Sequence, residues 1–146
     1  MKGLVHIYEG TGKGKSTAGV GLTIRCAGNG FPVVYSQFLK DGTTGEMNIL
    51  RKIPNITVLV EEHHFGFSFL MTPEEKVEAK AAYTALFEKV KAAAVEQNAR
   101  LLVMDEMLDL CNAELIDTAM VVDFLKNRPE QLEVVLPVPV SDYVLS

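Results

Sequence analysis

The run Gly10-Thr11-Gly12-Lys13-Gly14-Lys15-Ser16-Thr17 constrains this chain more than any other feature. It follows a short β-prone stretch, Leu4 to Tyr8, and precedes a helix-compatible stretch, Lys15 to Ala27, that stops at Gly28-Asn29-Gly30. In that position successive backbone N–H groups and a helix N-terminus converge, and both favour anionic oxygens. The common phosphate loop has four residues between its first glycine and the Gly-Lys-Ser/Thr element. Here three residues separate Gly10 from Gly14, so the run is either a variant loop or a ligand-free glycine-rich turn. Lys15 takes the place of the loop lysine, and Ser16 offers the hydroxyl that ligates Mg2+ in this geometry. Lys13 adds a second charge, which read by itself is equally a solvated loop lysine. A dinucleotide fingerprint fits worse. Lys15 occupies the place of its third glycine, and the second strand ends at Gln37 without an acid for a ribose.

The rest of the chain supplies the context such a loop needs. Pro32 to Phe38 reads as a second strand, Asp41 to Gly45 as turn chemistry, Glu46 to about Lys52 as a short helix, and Ile56 to Val60 as a third strand. The mostly apolar character of the third strand predicts cover on both faces, hence a parallel sheet. Thr72-Pro73-Glu74-Glu75 carries an N-cap, a proline at the first helical position and a capping-box glutamate. The helix it opens runs to about Glu96, with Val77, Ala81, Thr84, Phe87, Val90 and Ala94 as the expected inner stripe. Leu101 to Met104 is a fourth strand ending in Asp105-Glu106, Ile116 to Lys126 a helix, and Leu132 to Leu136 a fifth strand. Alternating strands and helices predict an α/β fold with helices on both faces of a mostly parallel sheet. No repeat, linker or low-complexity tract divides the chain, so residues 1–146 read as one domain. An apolar strand ending in acid is the expected source of a group near Mg2+, which makes Asp105 and Glu106 metal-side candidates beside Ser16.

Composition removes several classes. With 14 Lys+Arg against 19 Asp+Glu the net charge is −5, and no chain-wide positive field exists to hold nucleic acid or an anionic membrane. The N-terminal apolar stretch is too short for a signal sequence or a membrane span, which predicts a cytoplasmic protein. Cys26 and Cys111 lack metal or redox spacing and read as reduced, buried thiols. His6, His63 and His64 form no recognisable ligand set, and His63-His64 beside Glu61-Glu62 reads as a polar turn rather than a metal site. No nucleophile-and-base constellation is visible. The chemistry is then phosphoryl transfer by positioning, or the nucleophile comes from elsewhere.

At this point the residues resemble one family, the P-loop type ATP:corrinoid adenosyltransferases. The shortened loop Gly10 to Thr17 is similar to that family's own variant. Arg25-Cys26-Ala27-Gly28-Asn29-Gly30, Gln37-Phe38-Leu39-Lys40, Gly45-Glu46, Met104-Asp105-Glu106 and Phe124 to Pro129 resemble its later landmarks in order. The resemblance covers about residues 3 to 136 and implies a three-layer P-loop NTPase-like fold, shortened at its C-terminal end. It also implies a reaction: the cobalt of a reduced cob(I) corrinoid attacks the 5′ carbon of ATP and triphosphate leaves. No base is needed, because the cobalt is the nucleophile. Lys13, Lys15, the loop amides and Mg2+ would align ATP and stabilise the leaving charge. Gly66-Phe67-Ser68-Phe69 resembles the family segment whose aromatics displace the lower axial ligand of the corrin. That points to Phe67 and Phe69 as corrinoid-binding, with Phe65 as a lesser candidate; two buried hydrophobes anchoring a loop is the plainer reading.

The resemblance further implies an electron-donating reductase as partner and a homodimer. Two departures stand out. The family follows its fifth strand with Thr-Gly-Arg and a further strand, whereas here Pro137-Val138-Pro139-Val140 leads to Ser146. An arginine expected near the nucleotide is thus absent, and an exposed sheet edge is expected. Some members also begin with an N-terminal helix, while here the first strand starts almost at once. An ordinary P-loop ATPase or small-molecule kinase, and a truncated non-catalytic nucleotide-binding copy, are the competing readings.

Overall fold

A computed structural model describes residues 3–10, 14–39, 45–63, 65 and 70–139, with backbone alone at 8–10, 14–17 and 138–139. The described elements are β1 (Val5–Gly10), α1 (Gly14–Gly28), β2 (Val33–Gln37), α2 (Gly45–Leu50), β3 (Ile56–Val60) and α3 (Pro73–Glu96). They continue with β4 (Leu101–Asp105), α4 (Met107–Asn112), α5 (Thr118–Asn127) and β5 (Glu133–Pro139). The strands form one all-parallel sheet in the order β1-β5-β4-β2-β3. On one face Val33, Tyr35, Val103 and Val135 pack with Ala27 of α1 and with Met47 and Leu50 of α2. On the other, Val34, Leu102 and Val134 pack with Phe87 of α3, Leu110 of α4 and Phe124 of α5. The result is the predicted three-layer α/β architecture, and the inner strands β2 and β4 are buried at every position, as two-sided cover demands.

Several elements differ from the sequence expectation. β3 lies at the sheet edge and is half-buried over most of its length, so its apolar run does not reflect cover on both faces. The inner stripe of α3 is Ala79, Tyr83, Leu86, Phe87, Val90 and Ala94, whereas Val77 is 72% exposed and Ala81 is also outward. At about 3.6 residues per turn, Val77 and Ala81 fall on the side of the helix away from Ala79, Tyr83 and Leu86, which is why they are exposed. Its start is as expected: Thr72 Oγ1 accepts from Glu75 N at 3.2 Å, and Glu75 Oε1 accepts from Thr72 N at 3.4 Å. α4 was not legible in the sequence, and α5 opens later, at Thr118, because Asp117 caps it by accepting from Ala119 N at 3.0 Å. Both cysteines are free, as expected, yet half-buried rather than buried.

The largest correction concerns β5, which does not end at Leu136 but runs through both prolines to Pro139. Glu133 N donates toward β4, to Arg100 O, and Val134 N donates toward β1, to Leu4 O. By this alternation the missing N–H groups of Pro137 and Pro139 fall on the β4 side. There the ladder stops at Val103↔Val135, while pairing with β1 continues to Gly10↔Pro139. Proline is tolerated where no ladder donor is required. At the other border β1 is an edge strand, with Ile7 59% exposed and Leu4, just before it, 60%. No described helix is long and apolar enough to cross a membrane.

The β1 edge is fastened at its start by Arg128, just past α5. Its guanidinium donates to Leu132 O at 3.3 Å and to the carbonyls of Leu125 and Gly3. Gly3 is required there, since a Cβ would stand 2.3 Å from Leu132 O. Charged donors to partly buried carbonyls contribute about 1.5–3 kcal/mol each, less where water competes. Arg128→Ala should therefore lower stability by about 2 kcal/mol or more in urea denaturation, and Arg128→Lys should restore little because one ammonium cannot span the fork. An unchanged midpoint would show that β1 is held without this contact.

Candidate functional site

Because all strands are parallel, their carboxyl ends gather at one side, where α/β proteins bind ligands. β1 ends there at Gly10, and Gly14, Lys15, Ser16 and Thr17 form the first turn of α1, whose backbone N–H groups have no partner inside the helix. The backbone thus has the strand, loop and helix order that the phosphate-loop reading requires. Thr11, Gly12 and Lys13 lie outside the described residues, as do Phe67 and Phe69. Of Lys15, Ser16 and Thr17 the backbone alone is described. α1 packs on the sheet at Gly19, where a Cβ would stand in ordinary contact, 3.4 Å from Val103 Cγ1 and Pro137 Cγ and 3.9 Å from Tyr35 Cε2.

The acid end of β4 is built into the fold. Asp105 is fully buried, and Glu106 is 7% exposed, so neither is a solvated strand end. The β2–β4 register sets Gln37 against Asp105, and Gln37 Nε2 donates to Asp105 Oδ2 at 3.5 Å. Phe38 N donates to Asp105 O at 3.3 Å, and Leu39 N donates to Glu106 Oε1 at 3.3 Å. Glu106 is left-handed, with φ 71° and ψ 10°, a conformation that costs a residue other than glycine about 1–3 kcal/mol. That backbone turns the chain from β4 straight into α4 and leaves the carboxylate against the exit of β2.

Two buried tyrosines flank these acids, and the sequence reading did not single them out. The Tyr35 phenol is held far above its ordinary pKa, first by burial and then by the carboxylates of Asp105, Glu46 and Glu106, with the Gln37 amide opposing. Tyr83 is pushed up to about 12, again first by burial and then by Glu61 and Glu106. The signal available was polar or phenolic character inside apolar runs, at Tyr35-Ser36-Gln37 and Tyr83. Phe65 stacks edge-on against Tyr83 with centroids 5.5 Å apart, and His63 lies 4.3 Å from Phe65. His63 N donates to Glu61 Oε1 at 3.2 Å, and His64 of the expected polar turn lies outside the described residues. Among the described residues no three His, Cys, Asp or Glu side chains gather into a metal cage.

A cavity of about 340 Å³ opens at the opposite, amino-terminal end of the strands, lined among others by Arg25, Cys26, Phe31, Arg100 and Glu133. Its charges are engaged locally: Arg100 lies 4.3 Å over the Phe31 ring, and His6 Nε2 is 3.6 Å from Glu133 Oε2. Burial raises the Cys26 thiol there more than Arg100 lowers it, so the thiol is not activated. Among the described residues, neither Asp105 nor Glu106 lines this cavity.

Fold and site together define a parallel α/β protein whose glycine-rich strand-to-helix turn and buried acid pair share one end of the sheet. Comparison with known proteins narrows this class. The family described as ATP:corrinoid adenosyltransferase BtuR/CobO/CobP matches residues 1–137, and the chain belongs to that family. A corrinoid adenosyltransferase of Sinorhizobium sp is 31% identical over 137 residues, covering 92% of this chain and 63% of that protein. A corrinoid adenosyltransferase of Escherichia coli K12 is 27% identical, with 92% and 67% covered, and one of Pseudomonas aeruginosa 26%, with 92% and 66%. The match therefore spans about two thirds of the length of these relatives.

The raised phenols give a test of the site's burial. Stability tied to them is complete below about pH 10 and is lost as pH rises through their folded values, about 12 for Tyr83. Phenolate absorbance near about pH 11 should therefore account for no more than two of the four tyrosines until denaturant is added. Four tyrosines ionising together in the folded protein would contradict the geometry.

Proposed function

We propose that the chain is a corrinoid adenosyltransferase, moving the 5′-deoxyadenosyl group of ATP onto the cobalt of a reduced cob(I) corrinoid with release of triphosphate. The family match across residues 1–137 carries this reading. The fold supports it by bringing the first turn of α1 and the acid end of β4 to one end of the sheet. Gly10 to Thr17 would bind the triphosphate, with Lys13 and Lys15 offsetting the charge that develops as the C5′–O bond breaks. The cobalt–carbon bond forms with the electron pair of cob(I), so the protein supplies alignment rather than a base.

Asp105 and Glu106 suit Mg2+ better than a cation needing a full protein cage. Two buried carboxylates, with Ser16 as third donor, leave phosphate oxygens and waters to complete an octahedron. Bound there, Mg2+ would neutralise leaving-group charge. Phe67 and Phe69 are proposed to face the corrin, and Phe65, two residues before Phe67, packs on Tyr83. The same reading includes an electron-donating reductase, a homodimer, and a cytoplasmic protein acting on small molecules alone.

Anaerobic incubation with ATP, Mg2+ and chemically reduced cob(I)alamin should give a light-sensitive adenosylated corrinoid and one triphosphate per turnover. Lys15→Ala should reduce ATP affinity at least about tenfold, since a charge-assisted contact of this kind contributes about 1.5–3 kcal/mol. ADP release without corrinoid dependence would instead mark an ordinary P-loop ATPase or kinase. Mg2+-dependent ATP binding with no cobalt–carbon bond formed would mark nucleotide binding without turnover.

A further inference from the structure

Two polar atoms beside Asp105 lack partners, and they are complementary. Tyr35 is fully buried and its hydroxyl makes no hydrogen bond; Gln37 is 2% exposed and its Oε1 accepts none. A buried polar group left without a partner is costly, and native proteins rarely leave two together. Both side chains stand on the α1 side of β2, alternating as strand residues do, and the register sets them against Val103 and Asp105 of β4. The Gln37 amide lies beside the Tyr35 hydroxyl, yet no direct hydrogen bond closes between them.

Chemistry fixes the direction of these groups. Turning the Gln37 amide over would set its oxygen against the Asp105 carboxylate, two acceptors face to face, so Nε2 must face Asp105 Oδ2 and Oε1 must point away. The Tyr35 phenol is neutral at ordinary pH, as tyrosines are, and so remains a donor. A donor and an acceptor that are both buried and both without a partner are what a single enclosed water satisfies.

We propose that Tyr35, one enclosed water and Gln37 form a buried relay that holds the Asp105 carboxylate in a single orientation, making Tyr35 and Gln37 positioning residues for the cation side of the site. The hydroxyl donates to the water, the water to Gln37 Oε1, and Gln37 Nε2 to Asp105 Oδ2. Every donor in the chain points toward Asp105. The inference rests on the reading of Asp105 as a group near Mg2+, and partners behind a metal-side carboxylate typically change metal affinity by about 10–100-fold.

Two measurements test the relay separately from that reading. In the ligand-free protein, NMR should show a slowly exchanging Tyr35 hydroxyl proton with a cross-peak to water in its pocket, absent in Tyr35→Phe. A rapidly exchanging hydroxyl overturns the relay whatever the site binds. Next, ATP binding is titrated with Mg2+. Tyr35→Phe and Gln37→Leu should raise the Mg2+ midpoint roughly tenfold while leaving Mg2+-free ATP binding within about twofold. Midpoints unchanged in both variants, with Tyr35→Phe gaining thermal stability, would make the hydroxyl a mere unsatisfied group and overturn the relay. If the unaltered protein binds ATP with no Mg2+ dependence, the metal-side reading of Asp105 falls, and the positioning role with it.

Discussion

The in-register parallel pairing of β2 with β4 is the constraint on which the rest of the structure depends. It buries both strands at every position and sets Gln37 directly against Asp105. Backbone bonds then carry the pairing one step past the sheet, from Phe38 N to Asp105 O and from Leu39 N to the Glu106 carboxylate. A slip of one residue would turn Asp105 toward the opposite helical layer and bring Met104 to its place. The chemistry at the end of β4 is thus an outcome of core packing, since the apolar residues Leu101 to Met104 decide where the acids stand.

Local strain and local absence of pairing concentrate at the same end. Glu106 holds a left-handed backbone, and the β4–β5 ladder stops at Val103↔Val135 because the two prolines of β5 have nothing to donate on that side. Both features are costly in an ordinary sheet and acceptable where a sheet opens toward a ligand. β1 ends at Gly10 and α1 begins at Gly14, so the first turn of that helix lies at the same end of the sheet.

Much of this was legible in the sequence, for identifiable reasons. The loop declared itself because glycines, lysines and a hydroxyl residue fell between a β-prone run and a helical one. Thr72-Pro73-Glu74-Glu75 declared a helix start because its capping box is local chemistry. The misses came where tertiary contacts override local pattern. Val77 and Ala81 are apolar and four residues apart, yet they fall on the side of the helix away from Ala79, Tyr83 and Leu86 and face outward. β3 is mostly apolar, yet it borders the sheet. α4 is six residues long and depends on the turn at Glu106, which no propensity announces. Pro137 and Pro139 argue against a strand by composition, and only the side on which their missing donors fall makes one acceptable. Gln37 and Tyr35 stood in plain view as polar groups in an apolar run, but their relation to Asp105 is a matter of register, which a single strand cannot reveal.

The most direct measurement of the central claim is backbone amide NMR during titration with ATP and Mg2+. The account predicts that the amides of Gly14, Lys15, Ser16, Leu39, Asp105 and Glu106 shift together and saturably. Those of Asn29, Phe31 and Arg100, at the amino-terminal end of the strands, should stay in place. Shifts confined to the amino-terminal end, or none at the first turn of α1 and the end of β4, would contradict the claim that these elements make one nucleotide site.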